Sequence, residues 1–224
     1  MIYFTGDLHG DRSRIKKSEL NMLKTGDTLI VCGDFGFVWD GSKREKRFLS
    51  SLERRPYNIC FVDGTHEGFK LLNEAPCVNW NGGMVHRLGK NIYHLMRGQI
   101  FLLEGKKIFV MGGGEDPEKD PVDFDDGEPR PEIPTSAEML TGADNLEKLN
   151  FKVDYIVTHE PPAKTRDFLN LSSGKTLRIT SLGAYLDELS AQVEYKRWFF
   201  GSMHTDKFVS SAQTALFRDI VCDK

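Results

Sequence analysis

Aspartate and histidine recur at the ends of five short apolar runs, and side chains of these types gathered at strand ends are the material of a metal site. Ile2–Thr5 runs into Gly6-Asp7-Leu8-His9-Gly10, and Leu29–Cys32 into Gly33-Asp34. Ile59–Val62 leads to Asp63-Gly64-Thr65-His66-Glu67, Tyr155–Thr158 to His159, and Trp198–Phe200 to Gly201-Ser202-Met203-His204. Of the six histidines, only His86 and His94 lie elsewhere. A lone strand-end aspartate is more often a turn residue or a helix cap than a ligand. Five such ends in one chain are poorly explained that way. Where strands alternate with crossover helices, their carboxyl ends converge on one edge, and ligands bind there. Asp7 and His9 are two apart, so both can face one ion if the chain stays extended through Leu8. The glycines before Asp7 and Asp34 permit a sharp turn with no side chain crowding the ion.

The elements that must position these residues can be read from apolar periodicity. Strands are expected at Ile2–Thr5, Thr28–Cys32, Tyr57–Val62, Ile92–Leu95, Gln99–Leu103, Lys107–Met111, Asp154–Thr158 and Tyr195–Phe200, with a closing pair around Phe208–Ser210 and Ala215–Val221. Glu104-Gly105-Lys106 and the Ser-Ala-Gln near position 212 would turn two hairpins. Helical spacing appears in Arg12–Leu23, Ser42–Leu52 and Ile179–Val193. Thr135-Ser136-Ala137-Glu138 is a capping box opening a helix to about Leu149, weakened by Gly142. Early βα alternation followed by denser strands predicts an α/β fold with a two-sheet core flanked by helices.

The chain of 224 residues suits one sizeable core, so a single domain over 1–224 is expected. A net charge of −3 offers no general basic field for nucleic acid, though metals can supply local positive charge for a phosphate. The start lacks the pattern of a signal peptide, and no apolar run approaches the roughly 18 residues of a membrane span. Cys32, Cys60, Cys77 and Cys222 have no metal-site spacing and read as free thiols of a cytoplasmic protein. An acidic, proline-rich insertion at about 115–134 reads equally well as a lid or as a solvated loop.

The ordered set of strand ends resembles the calcineurin-like metallophosphoesterases, whose pattern is GDxHG, GDxxD, GNH(E/D), a lone strand-end His, and GHxH. The match spans Gly6 to His204, and the first motif is complete. The resemblance implies a four-layer αββα β-sandwich. It implies a first divalent ion on Asp7, His9, Asp34 and His204, and a second shared through Asp34 and bound by His159. His66 matches the catalytic histidine, which would stabilise or protonate the departing alkoxide. Two metals about 3.5–4 Å apart would acidify a water and clamp the phosphoryl oxygens.

Three positions depart from that pattern. Thr65 stands in place of Asn, Ser202 in place of the first His of GHxH, and Phe37 in place of the last Asp of GDxxD. Hydroxyls are poorer ligands than an amide oxygen or an imidazole, so Thr65 and Ser202 predict one tight ion and one weak one, helped by waters or by Glu160 or Asp206. Asp40, Asp63 or Glu67 would take over from the missing aspartate in orienting His66. Manganese, iron, zinc or magnesium all suit such a site.

Other residues carry less. Arg97 is either a bidentate donor to a substrate phosphate or an ordinary surface arginine. His86 and His94 read as structural or exposed. Lys43, Arg44, Lys46 and Arg47 read as the solvated face of a helix, and Gly112-Gly113-Gly114 as a turn bordering the cleft. Trp39 or Phe37 could stack on a base, so the expected partner is a small phosphorylated substrate, nucleotides included. The leading expectation is hydrolysis of a phosphomonoester or phosphodiester. The alternative is a degenerate relative that binds metal or a phosphorylated ligand with little turnover.

Overall fold

The computed structural model describes residues 1–116, 118, 130–171, 174 and 177–223. Its strands are β1 (Ile2–Thr5), β2 (Thr28–Cys32), β3 (Asn58–Val62), β4 (Cys77–Trp80), β5 (Gly83–Arg87), β6 (Ile92–Leu95), β7 (Ile100–Leu103), β8 (Lys106–Met111), β9 (Tyr155–Thr158), β10 (Arg197–Phe200), β11 (Lys207–Phe208), β12 (Gln213–Ala215) and β13 (Ile220–Cys222). The α-helices are α1 (Lys43–Leu52), α2 (Phe69–Glu74), α3 (Ser136–Glu147), α4 (Ala163–Leu169) and α5 (Ser181–Gln192).

Two mixed sheets form the core, one ordered β13-β1-β2-β3-β6-β5-β4 and the other β11-β12-β10-β9-β8-β7. Their centres are parallel: β1, β2, β3 and β6 in the first, and β8, β9, β10 and β12 in the second. Parallel strands are buried on both faces, and β2 is buried at all five positions. Ile30 and Cys32 face the other sheet together with Phe4, Val110, Val157 and Phe199. Leu29 and Val31 face outward onto Phe48 and Leu52 of α1. On the far side, Ile156, Trp198 and Phe200 pack against Leu146 of α3 and Leu182, Leu186 and Leu189 of α5. Phe4 stacks on Phe199 across the sandwich, centroids 4.1 Å apart, and truncating either ring should cost about 3–5 kcal/mol. The expected two-sheet core with flanking helices is the observed architecture.

Helices α1 and α3 start as expected. Ser42 accepts from the Glu45 N–H, and Thr135 and Glu138 form the reciprocal capping box. Gly142 proves useful inside α3, because a Cβ there would lie 2.5 Å from the Tyr185 hydroxyl and 3.3 Å from Gly98. Helix and sheet pack closely at that point.

The structure departs from the sequence expectations, or adds to them, at four places. Arg12–Leu23 is two 3₁₀ turns, Arg14–Lys16 and Ser18–Met22, separated by an extended Lys17 (φ −54°, ψ 147°). The Arg14 guanidinium is drawn to the carbonyls of Asp7 and Phe217, which holds that segment to the strand ends. Second, β4 and β5 form a hairpin not expected from the spacing, turned by Asn81 and Gly82 at φ 49° and 92°. Third, Ala215–Val221 is not one strand: the Asp206 carboxylate accepts the N–H groups of Phe217, Arg218 and Asp219, and the chain turns from β12 in one sheet to β13 in the other. Fourth, the short helices α2 and α4 lack a long apolar stripe. Much of the acidic insertion, namely residues 117 and 119–129, lies outside the described residues.

Candidate metal centre

The carboxyl ends of β1, β2, β3, β9 and β10 meet at one edge of the sandwich, bringing Asp7, His9, Asp34, His66, His159 and His204 together. Three groups of ligand atoms lie within 4.8 Å of one another: Asp7–His9–His204, Asp7–Asp34–His159 and His9–Asp34–His66. Asp7 and Asp34 each belong to two groups. His204 Nε2 is 3.1 Å from Asp7 Oδ2 and 3.0 Å from His9 Nε2. His159 lies between the carboxylates, with Nδ1 3.6 Å from Asp7 and Nε2 4.0 Å from Asp34.

The backbone reaches this geometry by turning, not by staying extended. The N–H groups of Leu8 and His9 both donate to the Asp34 carbonyl, at 3.0 and 2.8 Å. His9, Asp34, Ser202 and His204 all have positive φ, between 42° and 51°. Such residues cost on the order of 1–3 kcal/mol each and concentrate at functional sites. Gly33 turns the chain before Asp34 as expected, at φ 106°, and it and other glycines have a second role. A Cβ on Gly33 would sit 2.0 Å from His159 Nδ1, one on Gly64 2.1 Å from Asp34 Oδ1, and one on Gly201 2.0 Å from Asp7 Oδ1. They make room for ligands arriving from other strands.

The charges of this cluster call for a cation. Burial works against ionisation of Asp7, but His159, His204 and the Ser202 N–H hold its carboxyl well below the usual range. Burial likewise disfavours a charged His159, yet Asp7 and Asp34 push its pKa up to about 10. His204 is raised by its hydrogen bond to Asp7, whereas burial lowers His9. Among the described residues, no lysine or arginine forms a salt bridge with the Asp7 or Asp34 carboxylate, so imidazoles are their direct partners when no ion is bound, with Arg14 held at the Asp7 carbonyl. A buried set of two carboxylates and several imidazoles is the donor chemistry of a divalent ion.

His66 projects from the loop after β3 with its side chain 64% exposed. Its N–H donates to Asp34 Oδ1 at 2.7 Å, and its Nδ1 lies 3.0 Å from Asp34 Oδ2 and from the Thr65 hydroxyl. Asp34 therefore orients the ring itself. Asp40 instead accepts from the Ser42 N–H, Asp63 is engaged by Arg97 and His94, and Glu67 accepts from the N–H groups of Phe35 and Gly36. Glu67 is buried, and burial raises its carboxyl well above the ordinary range. Phe37 is packed against Phe35 and Phe48 and only 4% exposed, which leaves little ring surface for stacking; Trp39 is 57% exposed.

The cleft above the cluster has a volume of about 380 Å³, and Thr65, Ser202, Glu160 and Arg130 line it. Thr65 and Ser202 thus line the cleft beside Asp34 and His159. Ser202 offers its N–H to both oxygens of Asp7 at 3.2 and 3.0 Å. Burial raises Glu160 to about 7, and one of its oxygens accepts from the Glu115 N–H. Asp206 is taken up by its loop and is not a ligand in waiting. Arg97 is not brought to the cleft: it donates to Asp63 Oδ2 from Nε and Nη2 at 2.9 and 2.6 Å, to Glu138 at 3.2 Å and to the Pro131 carbonyl at 2.8 Å. Its side chain is 7% exposed, so the phosphate-binding reading gives way to a structural one. The sequence reading also passed over Phe217, which stacks on His204 at 4.9 Å. Of the thiols, Cys32 and Cys60 are buried and Cys77 is exposed.

A fold of two mixed sheets with an aspartate–histidine cluster at one edge defines a class. The calcineurin-like phosphoesterase family model matches residues 1–207, and the chain belongs to that family. Its members use divalent metals to hydrolyse phosphoesters. No curated protein matches the chain in sequence. Among solved structures, it is similar to the phosphopantetheinyl hydrolase of Mycobacterium tuberculosis, with 16% identity, TM-score 0.47, and coverage of 96% of this chain and 89% of that one. A protein of unknown function from Aquifex aeolicus matches with 18% identity, TM-score 0.35, and coverage of 71% and 78%. Among the described residues, no helix is long and apolar enough to cross a membrane.

Proposed function

We propose that the chain hydrolyses a small phosphomonoester or phosphodiester with one tightly held divalent ion and one weakly held one. The observation that carries the reading is the convergence of Asp7, His9, Asp34, His159 and His204 below an exposed His66. Bound divalent ions would supply an acidified water and positive charge at the phosphoryl oxygens. Asp7, His9, Asp34 and His204 are suited to the tight ion, and His159 with Asp34, Thr65 and Ser202 to the weak one. Asp34 fixes the His66 ring through Nδ1, which leaves Nε2 as the atom able to give a proton to the departing alkoxide. Buried Gly33, Gly64 and Gly201 keep the ligand side chains from being displaced.

The two hydroxyls at Thr65 and Ser202 favour one further reading, a relative that binds a phosphorylated ligand and turns it over slowly. Elemental analysis of the purified protein, with turnover of aryl phosphate mono- and diesters in added manganese, separates the two. Turnover abolished by a chelator and restored by manganese supports the esterase. Bound metal with no turnover of either ester across a broad pH range favours the binding protein.

A further inference from the structure

Beside the metal cleft lies a second cavity of about 400 Å³, and Arg130 lines both. Its walls are mostly apolar, from Phe69 and Leu72 of α2, Met96 after β6, and Pro131 and Ile133. Its floor carries a buried polar chain that the esterase mechanism does not use. Arg97 donates twice to Asp63, so that carboxylate is an acceptor only. His94 Nε2, 3.0 Å away, must then donate to Asp63 Oδ1. His94 Nδ1 and His86 Nδ1 are 3.0 Å apart and share one proton between them. Burial, and after it the neighbouring His94, lowers His86 to about 4, so His86 is neutral. With the single His94 proton on Nε2 toward Asp63, His86 donates from Nδ1 to His94 Nδ1, and its Nε2 is left as an acceptor facing no protein donor among the described residues. The side chain lines the cavity.

A polar atom that meets no protein partner and is open to a mostly apolar cavity is a recognition point. The cavity also adjoins the place where the scissile bond would lie, since Asp63 at its edge directly precedes Gly64-Thr65-His66. We infer that this cavity takes the organic leaving group of the phosphoester, a group with a flat or branched apolar body and one hydroxyl or amide N–H donor directed at His86 Nε2. The inference rests on the esterase reading for the origin of its ligand, but the pocket can be tested apart from turnover.

Two naphthyl phosphates serve as probes, one carrying a hydroxymethyl group and the other a methoxymethyl group, so that the leaving oxygens are alike and only one has the donor. With manganese, the intact enzyme should favour the hydroxymethyl ester in kcat/KM by about tenfold. His86→Leu should bring that ratio close to one, and His86→Gln should keep part of it. Met96→Trp, which fills the cavity, should lower kcat/KM for both naphthyl esters relative to para-nitrophenyl phosphate. Should no ester be turned over, fluorescence anisotropy of the hydroxymethyl naphthol alone still tests the pocket: binding weakened about tenfold by His86→Leu upholds it even as the esterase reading fails. An unchanged ester ratio, or in the absence of turnover a naphthol affinity indifferent to both His86→Leu and Met96→Trp, overturns it.

Discussion

Two aspartate–histidine clusters stand near the same edge of the sandwich, and they differ in what balances their carboxylates. Around Asp63 the charge is closed: Arg97 donates to it twice, His94 bonds its other oxygen, and all three side chains are buried. Around Asp7 and Asp34 there are imidazoles and backbone N–H groups but, among the described residues, no guanidinium or ammonium bonded to either carboxylate; Arg14 reaches only the Asp7 carbonyl. The first arrangement is complete as it stands. The second requires a cation. Residue type alone does not tell a metal site from a structural salt bridge; the presence or absence of a permanent positive charge does.

The largest effects should separate the two clusters by what they damage. His66→Gln should lower kcat/KM by about 10²–10⁴-fold, the range of a lost general acid, with the unfolding midpoint unmoved. Arg97→Ala should do the reverse. It leaves Asp63 buried and unpaired, which costs about 3–5 kcal/mol in urea unfolding, while metal content per folded chain holds. If Arg97→Ala loses metal but not stability, the contrast between the clusters fails.

A smaller effect sharpens the open cluster. Thr65→Asn together with Ser202→His should tighten the weaker ion by about tenfold, read by metal titration, and move the activity optimum to lower pH. Two equally tight ions in the unaltered protein would remove the basis of this prediction. The smallest effect concerns pH. His86 has a folded pKa near 4, below its ordinary value, so protonation favours the unfolded chain. The stability tied to its neutral form is complete above about pH 6.5 and is lost as the pH falls toward 4. Urea midpoints across that window should fall less steeply in His86→Leu than in the parent.

The strand ends were legible because an apolar run that breaks off into Gly, Asp or His is a local signal, and each ligand sits within a few residues of such a break. The capping box at Thr135 was legible for the same reason. The β4–β5 hairpin was also written locally, in Asn81-Gly82, but β4 buries no residue fully and β5 does not alternate strictly, so the pattern is faint. What was hidden depended on distant partners. Nothing near Arg97 in sequence says that Asp63 and Glu138 will close over it, and nothing near Arg12 says that carbonyls 200 residues away will pull the segment out of an α-helix. Phe217 was missed because its partner, His204, lies across a turn built by Asp206.

That turn has a consequence for the order in which the enzyme is made. The chain leaves β12 in one sheet, stacks Phe217 on His204, and enters β13 beside β1 in the other sheet. The carbonyl of Phe217 also receives the guanidinium of Arg14, which holds the Asp7 turn. During synthesis the first ligand loop emerges early, but its clamp is translated some 200 residues later. A growing chain should therefore stay blind to metal until residues 216–222 have left the ribosome and docked.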